Sequence, residues 1–293
     1  MIQVKNLVKC YTKNAPVLNG VDLTIEDGCV YGLVGVNGAG KSTLLRVLTG
    51  IFAADSGQVC VDGEVVFNNE RVKKQIFFLP DEPFFTRNTT AKSLKKLYAS
   101  THDLDEKAFS HYLNVFHLNE KTPLRNLSKG MKRQVFVCLA LAIAPKYLFL
   151  DEAFDGLDPV ARVTLQRGLT DLAKEKGSVV IISSHSLLEL QALCDTYGVL
   201  DNGKVISQQE LGSHLGQLHK FQAAFEEDIT KEDFPFECLS FTKTGRVVQL
   251  IARGEVQTLK NQMVGLNPMF VEEIPVNFEE LFIGAATQRG YLQ

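Results

Sequence analysis

Residues 35 to 43 read GVNGAGKST, which satisfies GxxxxGK[ST] between a short apolar run, CVYGLVG, and the helix-like STLLRVLTGIF. A strand before and a helix after is the context in which this spacing carries chemistry. The small residues let backbone N–H groups of Gly35, Asn37, Gly38, Ala39 and Gly40 wrap phosphates, and the helix directs its positive end at the same anion. Lys41 can reach the β and γ phosphates, Ser42 can supply a hydroxyl to Mg²⁺, and Thr43 completes the run. A chance match in a chain of this length has odds on the order of 1 in 100, so a plain glycine turn is a poor account. The motif alone leaves kinases, GTPases and motor ATPases open.

Asp151 and Glu152 follow the apolar run YLFL, which puts a carboxylate pair at the carboxyl end of a strand, where the phosphate loop also belongs. Asp151 can hold hydrated Mg²⁺, and Glu152 can orient and polarise an attacking water, the task of a general base near the γ phosphate. Taken alone, the pair reads equally well as a cap and a solvated side chain. Upstream lies LSKGMKRQ at residues 127 to 134, running into the apolar helix VFVCLALAIA. Ser128 and Gly130 at that helix start make a second anion-binding end, which capping alone would also explain.

These segments stand in a telling order: GVNGAGKST, LSKGM, LFLDE, DGLD at residues 155 to 158, then His185 after a buried strand. In that order the sequence resembles the nucleotide-binding subunit of ATP-binding cassette (ABC) transporters over roughly residues 1 to 207. The resemblance implies ATP and Mg²⁺ as cofactors and a head-to-tail sandwich with a second nucleotide-binding subunit, read here as a homodimer. In such a sandwich LSKGM of one subunit caps the γ phosphate held by GVNGAGKST of the other. Ser128 and Gly130 then touch nucleotide across the interface, Asp158 lies between the two sites, and His185 bonds the γ phosphate. Tyr11 stands where the family carries an adenine-stacking aromatic. Without the family pattern, His185 reads as a partly buried cap of LLELQAL, and Tyr11 as an ordinary core or surface ring.

Two departures stand out. LSKGM replaces the family's usual LSGGQ, so Lys129 and Met131 stand for a glycine and a glutamine. In FFLPDEPFF, Asp81 takes the place of the usual glutamine after the proline and is assigned to the metal, since a carboxylate there can still ligand Mg²⁺ or hold its water; the neighbouring Glu82 is the alternative, and either can merely cap a turn. Phe84 and Phe85 follow, and in an extended chain they cannot both face one core. Both are expected in or beside the groove that receives a permease's cytoplasmic helix, at least one of them facing away from the core.

The elements needed to hold these groups are legible as α/β. KYLFL at 146–150 and SVVIISS at 178–184 read as buried parallel strands, alternating with helical patterns at 161–176 and 187–194. VDLTIEDG reads as a hairpin of its own, and YGVLDNGKVI as another that turns at Asp201, Asn202 and Gly203. A mostly helical stretch from residue 88 to 126 suits an inserted helical subdomain, drawn at about 84–135. The fold expected is therefore a P-loop ATPase core of ABC type over 1–212, with a small C-terminal α+β appendage over 213–293. In the appendage the pattern suggests a strand at QAAFE, a hairpin near 243–245, a helix near 256–263, a strand over 269–276 and a last helix from residue 278.

Composition narrows the partners. The formal net charge is -3 at a sequence pI near 6.1, so no basic excess points to nucleic acid. The longest apolar stretch, Val135 to Ala144, is well short of the roughly 18 residues that cross a bilayer, and the N-terminal decapeptide lacks a continuous apolar region of signal type. Six dispersed cysteines without a CxxC pair fit reduced thiols. An ABC ATPase without a spanning segment passes its work to an integral-membrane permease, which places it on the cytoplasmic face of the cell membrane. NFEELFIGAA at 277–286 resembles the end of bacterial export-type subunits, implying export of a peptide, drug or lipid-like substrate. The rival reading is a soluble ABC ATPase of translation or DNA maintenance, against which stand the lone GK[ST] match and the lack of a long heptad insertion.

Overall fold

The computed structural model describes residues 1–12, 15–185, 190, 193–207 and 218–274. The chain divides into two compact units, Met1–Gln208 and Gln209–Gln293.

The first unit opens with two long strands, β1 (Ile2–Thr12) and β2 (Ala15–Ile25), paired from Ile2 opposite Ile25 to Thr12 opposite Ala15. The hairpin expected at VDLTIEDG is thus not a separate one: VDLTI is the second half of β2. The apolar alternation of Leu18, Val21 and Ile25 is broken by irregular pairing near Asn6 and Gly20, both at positive φ, and that bulge disguises a continuous strand as two short ones. With β4 (Ser56–Val61) and β5 (Glu64–Val65) they form an antiparallel sheet in the order β2-β1-β4-β5.

The second sheet carries the chemistry. β3 (Val30–Val34), β6 (Ile76–Leu79), β7 (Tyr147–Asp151), β8 (Val179–Ser184), β9 (Thr196–Asp201) and β10 (Lys204–Ser207) run in the order β10-β9-β3-β8-β7-β6. All neighbours are parallel except the β9–β10 hairpin, whose turn holds Asn202 and Gly203 at positive φ. Strands β3, β7 and β8 are buried along their whole length, which is why they read as unbroken apolar runs. Helices α1 (Lys41–Leu48), α2 (Glu70–Lys73) and α6 (Pro159–Lys176) belong to this unit, α6 starting with Asp158 as cap and Pro159 at its first position. The helical stretch consists of α3 (Ala91–Ala99) and α4 (Glu106–Val115), followed by α5 (Lys129–Ile143), which is buried from Arg133 onward and runs through the edge drawn near residue 135.

The second unit has one four-stranded antiparallel sheet in the order β12-β13-β11-β14, made from β11 (Leu218–Ala224), β12 (Cys238–Thr244), β13 (Val247–Arg253) and β14 (Phe270–Ile274). Helix α7 (Val256–Val264) buries Leu259 and Met263 into a core with Phe221, Val248 and Leu250. Each element expected between residues 218 and 274 is present. The helix expected from residue 278, the NFEELFIGAA segment and most of the helix expected at 187–194 lie outside the described residues.

Candidate nucleotide site

The phosphate loop begins where β3 ends. Gly40 caps α1 in the left-handed region at φ 104, where a Cβ would also come within 2.9 Å of Val17 Cγ1, so only glycine fits there. The next residue, Lys41, is buried at the first helical position; its Nζ donates to Gly35 O at 2.7 Å and lies 3.3 Å from Glu152 Oε1. A buried ammonium needs such partners, and both stand where an anion on the loop would compete for it. Val36, Asn37 and Gly38 are exposed, Ala39 and Gly40 partly so, and Ser42 is half-buried beside Lys41. Thr43 is buried, and its Oγ1 lies 3.1 Å from the hydroxyl of Tyr11, whose ring meets Phe52 edge-on at 6.0 Å and remains 54% exposed. Tyr11 therefore presents a tethered, half-open ring next to the start of α1.

Across the sheet, Asp151 is the last residue of β7 and only 1% exposed; its Oδ1 accepts from Ser183 Oγ at 2.5 Å. Glu152 takes up the left-handed region at φ 49, a costly conformation for a residue with a side chain. Its N–H donates to Ser183 O at 3.1 Å, and its carboxylate is held between Lys41 and His185, with Oε2 2.9 Å from His185 Nδ1. Lys41, Glu152 and His185 are therefore one group, Glu152 ion-paired to Lys41 at the start of α1 and hydrogen-bonded to His185, gathered where the adjacent parallel strands β3, β8 and β7 end. That chemistry is the holding of an anion by a cation next to a carboxylate that can take a proton.

A second group forms at the start of α5. Ser128 caps it by accepting from Met131 N at 3.2 Å. Gly130 lies so close to the turn after β7 that a Cβ there would come within 2.2 Å of Gly156 O, so the glycine retained in LSKGM is required by backbone approach. Asp158 accepts from Ala161 N at 2.9 Å and from Gln134 Nε2 at 2.8 Å. Asp81, assigned above to the metal, meets cations in this structure: its Oδ1 accepts from Arg133 Nη2 at 2.5 Å and lies 3.7 Å from Lys129 Nζ. Glu82 is exposed.

Arg133, Gln134 and Ser183 were missed in the sequence reading. A guanidinium placed just where an apolar helix begins was the available signal for Arg133, since such a charge is buried only with partners. Burial pushes the Cys29 thiol up to about 11 and raises those of Cys138, Cys194 and Cys238, which disfavours the thiolate at each of these four.

The family profile described as "ABC transporter" matches residues 18–155. The ABC transporter ATP-binding protein YtrB of Bacillus subtilis (strain 168) is 30% identical over 284 residues, 97% of this chain and 97% of its own. The chain belongs to the ABC transporter family. The lantibiotic transport ATP-binding protein SrtF of Streptococcus pyogenes is 34% identical over 77% of this chain and 99% of its own. A solved structure described as that of an ATP binding subunit of an ABC transporter superposes with a TM-score of 0.67 at 28% identity, covering 74% of this chain and 93% of that one. This ABC protein is thus an ATP-binding, ATP-hydrolysing transport subunit with the P-loop fold of the family, and the reading as a soluble non-transport ATPase gains no support. No helix among the described residues is long and apolar enough to cross a membrane.

Proposed function

We propose that this subunit powers export by a separately encoded integral-membrane permease, working at the cytoplasmic face of the membrane as a pair of identical chains that close on two ATP molecules. The name of one relative, a lipopolysaccharide export system ATP-binding protein, supports the export direction, and a lantibiotic transport ATP-binding protein among the others supports a peptide-like cargo beside a lipid-like one. The observation that carries the reaction is the Glu152 carboxylate held between Lys41 and His185 at the strand ends.

When phosphates enter the loop, Lys41 exchanges Gly35 O and Glu152 for phosphate oxygens, and the freed Glu152 accepts a proton from the attacking water. The water oxygen bonds the γ phosphorus, the bond to the β-phosphate oxygen breaks, and ADP and phosphate result. His185 donates to a γ-phosphate oxygen and keeps Glu152 aimed. Ser42 and the buried Asp151 offer the oxygen ligands that suit Mg²⁺ brought in with ATP, which neutralises phosphate charge. Asp81 joins that set only by giving up its pairing with Arg133. Tyr11 stacks the adenine, while Ser128, Gly130 and Asp158 act on the nucleotide of the other chain. Glu152→Gln tests the assignment: ATP still binds, turnover falls by about 10² to 10⁴, and a closed dimer accumulates in light scattering with ATP and Mg²⁺. Near-normal turnover without a dimer sinks base and sandwich together.

A further inference from the structure

Arg133 is 2% exposed and is the largest of the fully buried side chains among the described residues. All of its observed acceptors lie in two loops. Nη1 donates to Glu152 O and, at 3.1 Å, to Asp155 O; Nη2 donates to Asp81 O at 2.6 Å and Asp81 Oδ1 at 2.5 Å. One loop follows β6 and the other follows β7, which are adjacent parallel strands. A planar guanidinium offers its donors in a fixed fork, so it can hold two loops at one separation where an ammonium, a point charge, cannot.

One of the carbonyls it holds belongs to Glu152, a residue whose backbone conformation must itself be held. Glu152 sits in the left-handed region at φ 49, which a residue with a Cβ leaves unless its surroundings forbid it. Its N–H is fixed by Ser183 and its carbonyl by Arg133, so the direction of its side chain toward Lys41 and His185 is set at both ends of the residue. The remaining need is for negative charge: a buried guanidinium bonded to carbonyls alone would be uncompensated. Asp81 supplies it. A neutral glutamine at position 81, the commoner family residue, could not.

Resting on the assignment of Glu152 as base, we propose that Arg133 is a positioning residue for Glu152 and that Asp81 is its matched counter-ion, so that the departure at position 81 and the arginine at 133 are one device. Through it the loop bearing Asp81 is mechanically tied to the backbone of the general base. The test uses the purified full chain and four variants: Asp81→Asn, Arg133→Gln, the double variant, and Glu152→Gln as reference. ATP affinity by fluorescence titration, kcat and KM, and melting temperature are measured for each. Asp81→Asn should lower kcat by about fivefold to fiftyfold, within the roughly 10² that small misplacements cost, with ATP affinity and melting temperature little changed. The double variant should be no slower than Arg133→Gln alone, because the two act as a unit. Asp81 is partly exposed, so its variant folds even if loss of the buried arginine does not. An Asp81→Asn protein with wild-type kcat overturns the proposal, as does a loss of kcat in the double variant equal to the product of the single losses. If Glu152→Gln itself turns over normally, the reading of the base fails instead, and the two failures are distinguishable.

Discussion

The two units handle charge in opposite ways. In the first, Lys41, Arg133, Gln134 and Asp151 are buried, each bonded at or near the carboxyl end of the parallel sheet. In the second, no buried charged or polar side chain occurs among the described residues; its core is Phe221, Phe225, Phe234, Leu250, Leu259 and Met263. Burying a charge costs several kcal/mol unless geometry and hydrogen bonds repay it, so a core spends that energy only where chemistry uses the charge. The first unit is built around a reaction and the second around its own stability. Its ion pairs, such as Lys260 and His219 on Glu273 at 2.8 Å, stay at the surface, where each is worth at most about 1 kcal/mol.

The sharpest way to break this contrast is to change one buried or capping side chain of the first unit at a time. Lys41→Ala removes the loop's cation and should weaken ATP binding by about tenfold to 10²-fold, since a charge-assisted phosphate contact is worth about 1.5–3 kcal/mol. Ser128→Arg should leave ATP binding by the single chain nearly intact while abolishing turnover, because Ser128 is assigned to the other chain's nucleotide. Titration at concentrations that keep the chain monomeric, followed by ATPase assay, separates them. Equal loss of affinity in both would refute the composite site.

A far smaller effect is expected from the second unit. A chain ending at Gln208 should bind ATP within about twofold of the full chain, because every nucleotide group lies before that point and the second unit keeps a separate core. A shortened chain that folds by circular dichroism but cannot bind ATP would erase the distinction between a reacting unit and an accessory one.

Much of the site was readable because phosphate chemistry demands fixed spacing along the chain. GVNGAGKST, the carboxylates after YLFL and Ser128 all stand at element ends that local pattern identifies. What joins the elements was not readable. Arg133 reaches across 52 residues to Asp81 and 19 to Glu152, and Ser183 reaches across 32 to Asp151. No local periodicity encodes such pairings, which depend on strand order. The left-handed turn at Glu152 was hidden for the related reason that tertiary contacts, not its residue type, impose it. In β2 the opposite error arose: VDLTIEDG reads locally as a hairpin, whereas the pairing with β1 carries one strand from Ala15 through Ile25.

The subtlest prediction concerns a surface of the first unit that has neither buried charge nor core. Phe84 is 89% exposed, while its neighbour Phe85 is half-buried with Lys132 Nζ 5.6 Å above its ring. Packing of both rings inside the subunit is therefore not what the sequence achieves, and the alternation expected of an extended chain accounts for the split. A phenylalanine this exposed contributes little to folding, so Phe84→Ser should leave the melting temperature and basal ATPase unchanged. Covering that ring on a partner is worth about 1.5–3 kcal/mol, which is roughly ten- to hundredfold in Kd. Phe84 stands three residues after Asp81, on the loop tied by Arg133 to the general base. A permease helix seated on it would thus hold a loop that Arg133 ties to the backbone of Glu152. Copurification of the permease with the Phe84→Ser subunit is the measurement. Undiminished recovery at normal stability would move the docking surface elsewhere, whereas loss of the complex with unchanged ATPase would show that a side chain idle in the isolated unit is what the transporter holds.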